Sequence, residues 1–456
     1  MKNLVTSHQI FFASGKTKNL DYRKEQLLKL REVLIHNEKL LLGAIHSDFN
    51  KGSFDAYVTE FAMIFHEIEK ALRNMNRWAA PKKVKTNVPN QPGRSFIMPE
   101  PFGTVLVIGA WNYPYQLCLV PAVSAMAAGN TVIIKPSELA ANTSKAMAQI
   151  INNTFDSEYL HVQEGSVAET TELLEQKFDK FFFTGSTPIG KLVYQAAAKQ
   201  LTPVTLELGG KSPAFVFSDT NIDVTARRLV WGKFLNAGQT CVAPDYVMVH
   251  KNVEEALLKK MKEYILQFFG ENASQSESYV QIINARNFDR LVSLIDSEKV
   301  YCGGKTERES LFIEPTILRN VTFEDGVMKD EIFGPILPVI SFTDMEQAVT
   351  EVKNLGKPLA LYVFTKNENN SDYLLNNLSF GGGCINDAVM HLANSYLPFG
   401  GVGNSGMGNY HGKFGFDCFS HQKSILKKGF SFEPLYKYPP YTSDKLNWIR
   451  RIMAIS

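Results

Sequence analysis

Apolar and polar residues recur along the chain with two different periods, and these periods predict helices and strands. From residue 21 to about residue 79, apolar residues such as Leu27, Leu30 and Leu34 are spaced as on one face of a helix, which predicts amphipathic helices. The segment 81–101 carries five prolines, three lysines and a glycine, a composition that favours an extended arm or hairpin. We therefore expect the chain to leave its helical start as a projection from the core.

Short apolar runs then alternate with helical stretches. The predicted strands of this part are 104–109, 131–135, 161–163, 180–184 and 204–208. After Gly210 the alternation of strands and helices begins again. The predicted strands are 214–217, 246–249, 333–342 and 359–364, and the predicted helices are 223–234 and 253–269. Such alternation is typical of parallel α/β sheets, which bind ligands at the carboxyl ends of their strands. Two successive α/β domains are predicted, and the first is expected to hold a nucleotide.

Composition and charge narrow the class of partner. The 456 residues include 48 Lys and Arg against 46 Asp and Glu, so there is no basic field for nucleic acid and a small molecule is the expected partner. The longest apolar stretch falls short of the roughly 18 residues that suggest a bilayer span, and the opening lacks the apolar run of a secretory signal. Five widely spaced cysteines favour free thiols in a reducing cytoplasm.

Three residues are candidates for acid–base or nucleophilic chemistry. Cys241 follows a Gly-Gln-Thr turn that would expose it as a thiolate nucleophile, although a cysteine is more often a small core residue. Glu207 ends an apolar run, where burial would raise its pKa and suit a general base; a structural carboxylate is the rival interpretation. Asn112 follows the first predicted strand and offers an amide donor to an oxyanion, or is simply a turn residue.

Two further segments have the chemistry of a cofactor site. The glycine-punctuated stretch 183–190 lies between a strand and a helix, so its backbone donors are suited to a diphosphate, although alone it reads as a plain turn. Lys135 and Glu138 end the second predicted strand, where ribose hydroxyls find polar partners, or lie in a solvated loop. The histidines are scattered without metal-ligand spacing, and no metal is assigned.

Seven motifs taken together resemble one family. They are, in chain order, VIGAWNYP, IIKPSE, FFFTGSTPIG, LELGGKSP, WGKFLNAGQTCVAPDY, EIFGP and PFGGVGNSGMGNYHGKFGF. From about residue 20 to residue 441 the chain resembles the aldehyde dehydrogenase superfamily. The CVAPDY and YHGKF segments and the short N-terminus look like its class 3 branch, whose members are dimers that oxidise medium or long aliphatic and aromatic aldehydes.

The resemblance implies a role for each matching residue at the reacting end. Cys241 would be the nucleophile and Glu207 the general base, while Asn112 would form the oxyanion hole with the backbone amide of Cys241. Glu331 would hold the nicotinamide ribose, and Phe333 would pack near the nicotinamide ring.

At the adenine end, the resemblance implies that Lys135 and Glu138 meet the ribose. Gly185 and Ser186 would lie by the diphosphate, with Gly190 in the same site. Glu138 should accept hydrogen bonds from a free 2′-hydroxyl and repel a 2′-phosphate, so NAD is expected first, with NADP as the second possibility.

The implied fold class is α/β, with a Rossmann-like parallel-sheet cofactor domain, a second α/β catalytic domain and a small oligomerisation arm. The predicted boundaries are 1–80 with 102–209 for the cofactor domain, 210–416 for the catalytic domain, 81–101 with about 417–440 for the arm, and 441–456 for a C-terminal tail. The tail carries apolar residues beside Arg450 and Arg451 and suits either a membrane surface or a dimer partner. A cytoplasmic homodimer without an integral membrane segment is expected.

The implied function is NAD(P)-dependent oxidation of an aldehyde to its carboxylic acid through a cysteine thiohemiacetal and thioester. Medium or long aliphatic, isoprenoid-derived and aromatic aldehydes are all candidate substrates; Trp231, Tyr115 and Phe399 are candidates to line an apolar tunnel. One alternative is a coenzyme A-acylating enzyme, although a carboxylate at position 207 favours water as the acceptor. The other is a non-catalytic binding protein on the same fold.

Overall fold

The first part of the chain is helical, as its apolar periodicity predicts. A computed structural model describes residues 1–453, so residues 454–456 of the predicted tail lie outside the described chain. The first elements are α1 Lys2–Ala13, α2 Leu20–His36, α3 Glu38–Phe49, α4 Ser53–Ala56, a π-helical turn Tyr57–Phe61 and α5 Ala62–Ala79. Leu27, Leu30 and Leu34 are fully buried on one face of α2, which confirms the amphipathic prediction. The periodicity does not predict α1, because its buried face includes the polar His8 between Val5 and Phe11.

The proline-rich segment is extended, as predicted. It contains β1 Lys82–Val84 and β2 Gly93–Pro101, which pair antiparallel with Lys82 opposite Ile97. All three residues of β1 are exposed, as expected for a segment outside the core.

A parallel sheet follows, and its elements match the predicted strands closely. They are β3 Thr104–Ile108, α6 Gln116–Ala128, β4 Thr131–Lys135, α7 Ala141–Asn152, β5 Leu160–Val162, α8 Val167–Glu175, β6 Lys180–Thr184, α9 Thr187–Ala198 and β7 Val204–Glu207. The strand order is β7-β6-β3-β4-β5, with all these pairs parallel. The order reverses between β3 and β6. In open α/β sheets a ligand binds outside the strand ends at such a point.

A second sheet occupies the next part of the chain. Its elements are β8 Pro213–Val216, α10 Ile222–Phe234, β9 Tyr246–His250, α11 Glu254–Phe269, α12 Ala285–Val292, β10 Val300–Cys302, β11 Thr306–Glu307, β12 Phe312–Ile313, β13 Thr316–Leu318, β14 Ile336–Phe342, α13 Met345–Asn354, β15 Ala360–Phe364, α14 Glu368–Asn377 and β16 Gly382–Ile385. The strand order is β10-β13-β14-β9-β8-β15-β16. The strand predicted from residue 333 begins only at Ile336, because Phe333 has a φ of 50° and Pro335 has no N–H to donate.

The last elements return to the first sheet and to the arm. They are β17 Gly406–Met407, α15 Gly412–Cys418, β18 Ser420–Lys428 and α16 Ser443–Met453. Strand β17 adds to the cofactor sheet antiparallel to β7, with Gly406 opposite Glu207. Strand β18 pairs antiparallel with β2 and completes a sheet ordered β1-β2-β18. Among the helices of residues 1–453, none is long and apolar enough to cross a membrane.

Candidate active site

Cys241 follows a tight turn that a buried glutamine side chain holds in place. Residues 236–238 all have a positive φ, between 50° and 72°. The Gln239 side chain donates from Nε2 to the carbonyl oxygen of Asn236 at 3.1 Å, and its Oε1 accepts the N–H of Ile283 at 3.1 Å. The glutamine of the Gly-Gln-Thr motif therefore fixes the backbone that presents Cys241.

Asn112 lies against this same turn. Its Nδ2 donates to the carbonyl oxygen of Gln239 at 3.0 Å, and the Asn236 amide donates to the carbonyl oxygen of Asn112 at 3.0 Å. Asn112 is 3% exposed, and its amide retains a second N–H. The loop after β3 thus meets the turn that carries Cys241, although Asn112 and Cys241 are 241 − 112 = 129 positions apart.

Glu207 is a buried carboxyl at the end of β7. It is 3% exposed, and within residues 1–453 neither carboxyl oxygen has a hydrogen-bond partner. Burial raises the pKa of Glu207 well above its usual value, the direction that the sequence predicts. The N–H of Gly185 donates to the backbone carbonyl of Glu207 at 3.0 Å, so the end of β7 lies beside the predicted diphosphate loop. An unpaired buried carboxyl is costly, and such groups concentrate at functional sites.

The pKa of the Cys241 thiol is affected by burial and by the charges of two carboxyls. Burial, followed by the charges of Glu331 and Glu207, raises the pKa of Cys241 to about 12. The backbone N–H groups of Cys241 and Val242 act in the opposite direction. This shift favours the neutral thiol in the protein without cofactor, so attack on a carbonyl carbon requires a base to take the thiol proton.

The predicted adenine-end residues lie at the carboxyl ends of β4 and β6. Nζ of the buried Lys135 is 3.9 Å from Oε2 of Glu138, whose side chain is 44% exposed. Ser186 is the N-cap residue of α9. A Cβ at Gly190 would lie 2.6 Å from the Leu208 side chain, so this glycine permits α9 to pack closely against the sheet.

Glu331 and Phe333 approach the same edge from the second sheet. A Cβ at Gly209 would lie 2.2 Å from Oε2 of Glu331, so a larger residue at this position would displace the carboxyl. The N–H of Gly210 lowers the pKa of Glu331, but burial and the Asp245 charge dominate and raise it to about 8. The Phe333 ring packs edge-on against Trp111 at 5.4 Å between centroids. An acceptor carboxyl beside this glycine cradle fits the hydroxyls of a nicotinamide ribose.

An apolar cavity of about 170 Å³ opens at Cys241. Trp231 and Phe399 line it, as predicted, whereas the prediction for Tyr115 is wrong. Tyr115 is fully buried, and its hydroxyl donates to the carbonyl of Leu41 at 3.0 Å. Further lining residues include Val58, Met63, Tyr113, Leu117, Leu235, Met390, Leu392, Tyr410 and His411. We call this cavity the Cys241 pocket.

Sequence reasoning misses some members of the pocket. The Tyr113 hydroxyl lies 2.6 Å from Oγ1 of Thr240, the residue before Cys241. Tyr113 directly follows Asn112 in the WNYP motif, so its position in that motif could have identified it as a member of the site. His411 has a φ of 78°, and the next residue, Gly412, donates its N–H to the buried carboxyl of Glu67. Only the tertiary structure brings His411 to this pocket.

Comparisons with known proteins identify the family. A model of the aldehyde dehydrogenase family matches residues 7–425. The chain belongs to the aldehyde dehydrogenase family. A 4,4'-diaponeurosporen-aldehyde dehydrogenase of Staphylococcus aureus is 46% identical over 442 residues, 96% of each chain. A "dimeric NADP-preferring" aldehyde dehydrogenase of Rattus norvegicus is 45% identical over 431 residues, 94% of this chain and 95% of that one. The solved substrate-bound state of Staphylococcus aureus AldH has a TM-score of 0.97 at 44% identity and covers 99% of both chains.

Membership in the aldehyde dehydrogenase family confirms several predictions together. The resemblance, the α/β fold class and the enzyme class, an NAD(P)-dependent aldehyde dehydrogenase, are all confirmed. Within residues 1–453, no group of three or more His, Cys, Asp and Glu side chains is arranged to hold a metal. The roles of the individual site residues and the domain boundaries stay predictions.

Proposed function

We propose that this aldehyde dehydrogenase uses Cys241, Glu207 and Asn112 to convert an apolar aldehyde into the free carboxylic acid. The observation that carries the proposal is the buried carboxyl of Glu207, whose oxygens have no partner among residues 1–453. Its charge raises the pKa of Cys241, which lines an apolar cavity. The decisive test follows NADH absorbance with a panel of aldehydes and identifies the product by mass. A non-catalytic binding protein would give no aldehyde-dependent NADH.

The residues have complementary tasks in this reaction. The sulfur of Cys241 bonds to the carbonyl carbon as its proton passes to Glu207, and the oxyanion of the thiohemiacetal accepts N–H groups from Asn112 and the Cys241 backbone. A bound nicotinamide cofactor, held by Lys135, Glu138 and Glu331, supplies the acceptor for the hydride. Glu207, having released its first proton, then deprotonates a water that attacks the thioester carbon. The acid leaves and the thiol of Cys241 is restored.

The Cys241 pocket favours a long apolar substrate. Its lining is largely aliphatic and aromatic, and the Staphylococcus aureus relative is named for a 4,4'-diaponeurosporen aldehyde. We propose long-chain aliphatic or isoprenoid-derived aldehydes over short ones, because each buried methylene contributes about 0.8 kcal/mol. A screen by chain length, run with both cofactors, tests this: kcat/KM that does not rise with chain length would contradict it.

The competing acceptor is coenzyme A. A thiol needs less activation than water, so a buried base at position 207 favours hydrolysis. We expect the free acid as the product whether or not coenzyme A is present. An acyl-CoA product that replaces the acid would establish the acylating alternative.

Removing the Asn112 amide is expected to slow the chemical step. Asn112→Ala should reduce kcat by about 10²–10³-fold, the usual effect of losing one oxyanion donor, with little change in the KM for the cofactor. Asn152→Ala is the matched control, because the Asn152 amide donates to the Val162 carbonyl at 2.9 Å away from the site. Thermal melting of both variants separates loss of the donor from loss of the fold. A kcat within threefold of the wild type in Asn112→Ala would exclude Asn112 from this role.

We propose NAD as the preferred cofactor on the basis of the Glu138 carboxylate. Glu138→Gln should raise the NADP-to-NAD ratio of kcat/KM by about 3- to 10-fold, a modest effect because the side chain is partly exposed and screened. Glu164→Gln, an exposed carboxylate beyond β5, is the control. The relative from Rattus norvegicus is named NADP-preferring, so a wild-type preference for NADP is the outcome that would refute this proposal.

We also propose a homodimer located in the cytoplasm. Apolar side chains are exposed on β18 and just beyond it, including Leu426, Phe430 and Leu435, and the Rattus norvegicus relative is named dimeric. The five cysteines are all free thiols, which fits a reducing compartment. Light scattering on the purified protein gives the mass, and a monomer would contradict the dimer.

A further inference from the structure

A buried carboxyl from the helical first part of the chain holds the loop that carries Asn112. We call residues 109–116, which run from the end of β3 into the first residue of α6, the Asn112 loop. Glu60 lies in the π-helical turn before α5 and is completely buried. Its Oε2 accepts the backbone N–H groups of Tyr115 at 2.9 Å and of Gln116 at 2.8 Å. Glu60 therefore binds the carboxyl-terminal end of the Asn112 loop.

These two bonds lie at the start of α6, where a helix needs acceptors. The first N–H groups of an α-helix have no acceptor within the helix, and the side chain of the N-cap residue Tyr115 supplies none. The positive end of the helix dipole also favours a carboxylate at this place. Because Glu60 comes from 55 positions earlier in the chain, it fixes the loop relative to the first helices as well as capping α6.

The two bonds do not depend on whether Glu60 is ionised. Burial raises the pKa of Glu60 to about 7, while Lys51 and the two N–H groups lower it. Both N–H groups are bound by Oε2, so a proton on Oε1 leaves these bonds in place. Glu60 thus holds the Asn112 loop on either side of neutral pH.

Lys51 joins the same carboxyl to the middle of the Asn112 loop. Its fully buried Nζ lies 3.9 Å from Oε1 of Glu60 and 4.4 Å from the ring centroid of Tyr113. An ammonium over the face of an aromatic ring is attracted to it, and more strongly where water is excluded. The hydroxyl of the same ring lies 2.6 Å from Oγ1 of Thr240. Lys51 therefore stabilises the position of a ring that contacts the residue before Cys241.

The contacts run without a gap from Glu60 to the turn before Cys241. Glu60 binds the Asn112 loop, and the Asn112 amide of that loop donates to the carbonyl oxygen of Gln239 at 3.0 Å. Each link is a hydrogen bond, an ion pair or a ring contact. The placement of a catalytic group matters, because a displacement of about 1 Å can reduce a rate about 10²-fold.

We propose that Glu60 is a positioning residue, which fixes the Asn112 loop so that the Asn112 amide faces the oxyanion. This inference rests on the proposed function, in which Asn112 is an oxyanion donor. Val58 and Thr59 line the Cys241 pocket, whereas the carboxyl of Glu60 binds the loop backbone. Glu60 thus acts through the loop and not on the reacting atoms.

The test compares two variants that differ only in the acceptor at position 60. Lys51→Met/Glu60→Gln and Lys51→Met/Glu60→Leu both remove the two buried charges, but only the first keeps an oxygen for the N–H groups of Tyr115 and Gln116. We expect the kcat of the leucine variant to be about 10- to 50-fold below that of the glutamine variant, because the oxyanion donor is displaced. The KM for NAD should agree within about twofold, because the lost effect belongs to the transition state.

Asp344→Leu is the matched control for the loss of a helix cap. Oδ1 of Asp344 accepts the N–H groups of Glu346 and Gln347 at the start of α13, which follows a strand of the second sheet. This variant should melt at a lower temperature and keep the wild-type kcat. Equal kcat in the two position-60 variants would overturn the proposal. Failure of either of them to fold would also overturn it, because position 60 would then serve the fold as a whole.

Hydrogen exchange followed by mass spectrometry gives a readout that needs no aldehyde. The amides of residues 113–119 and 236–241 should exchange at least about threefold faster in the leucine variant than in the glutamine variant, because both segments lose an anchor. The amides of residues 346–354 should exchange equally in the two. Equal exchange at residues 236–241 would count against Glu60, whereas a wild-type protein that oxidises no aldehyde would count against the proposed function.

Discussion

Cys241→Ala is expected to abolish aldehyde oxidation, with a loss on the order of 10⁴-fold or more in kcat. Loss of a covalent nucleophile removes the step on which the other site residues act, so little residual catalysis remains. NADH formation with a long-chain aldehyde measures the effect. Cys302→Ala is the matched control: Cys302 is also partly exposed, its pKa is also raised, to about 11, and it lies on the edge strand β10. Undiminished turnover in Cys241→Ala would exclude this sulfur as the nucleophile.

The raised pKa of Cys241 gives a second readout on the same sulfur. With its pKa raised to about 12, the thiol of Cys241 is almost entirely protonated between pH 7 and 9. Without cofactor, alkylation of Cys241 by iodoacetamide should therefore accelerate about tenfold per pH unit between pH 7 and 9. Peptide mass spectrometry at several pH values measures this slope. A rate that is already level at pH 7 would show that the free protein holds a thiolate.

Glu207→Gln is expected to slow the reaction both before and after NADH forms. Glutamine preserves the shape but cannot take a proton from Cys241 or from water, so the first NADH should form more slowly and steady-state turnover should fall about 10²–10⁴-fold. Stopped-flow absorbance measures the first turnover and the steady state separately. Asp179→Asn, which changes a carboxyl bonded to the Thr104 N–H at the opposite end of the sheet, should leave both rates unchanged. An unchanged steady state in Glu207→Gln would transfer the base role to Glu331, whose charge also reaches Cys241.

The raised pKa of Glu207 also predicts a dependence on pH. A base acts only when ionised, so wild-type turnover should fall as the pH drops through the raised pKa, and Glu207→Gln should lack this limb. The free energy of unfolding changes with pH in the opposite direction to turnover. A raised carboxyl pKa means that the folded state binds more protons than the unfolded state, so a rise in pH destabilises the folded protein. The contribution of Glu207 to stability is complete at a pH below the pKa of this group in the unfolded state. It is lost as the pH rises through the pKa of the group in the folded state. The melting temperature of Glu207→Gln minus that of the wild type should therefore be larger at pH 9 than at pH 5.

Local sequence predicts the α/β elements because each strand is a short apolar run between turn residues. The strands at 131–135 and 180–184 lie where predicted. Elements without that pattern were missed: β10 and β13 are three residues long, β16 contains two glycines, and β17 pairs only two residues. Their pairing depends on neighbours from distant parts of the chain.

The motifs by themselves determined the family, the fold class and the identities of Cys241, Glu207 and Asn112 as candidates, because a loop at a strand end carries its chemistry in a few contiguous residues. Tertiary structure alone decided what surrounds them. It placed the Asn112 amide on the turn before Cys241, left the Glu207 oxygens without partners among residues 1–453 and excluded Tyr115 from the Cys241 pocket. Burial, pairing and pKa depend on residues far apart in sequence, so no local pattern specifies them.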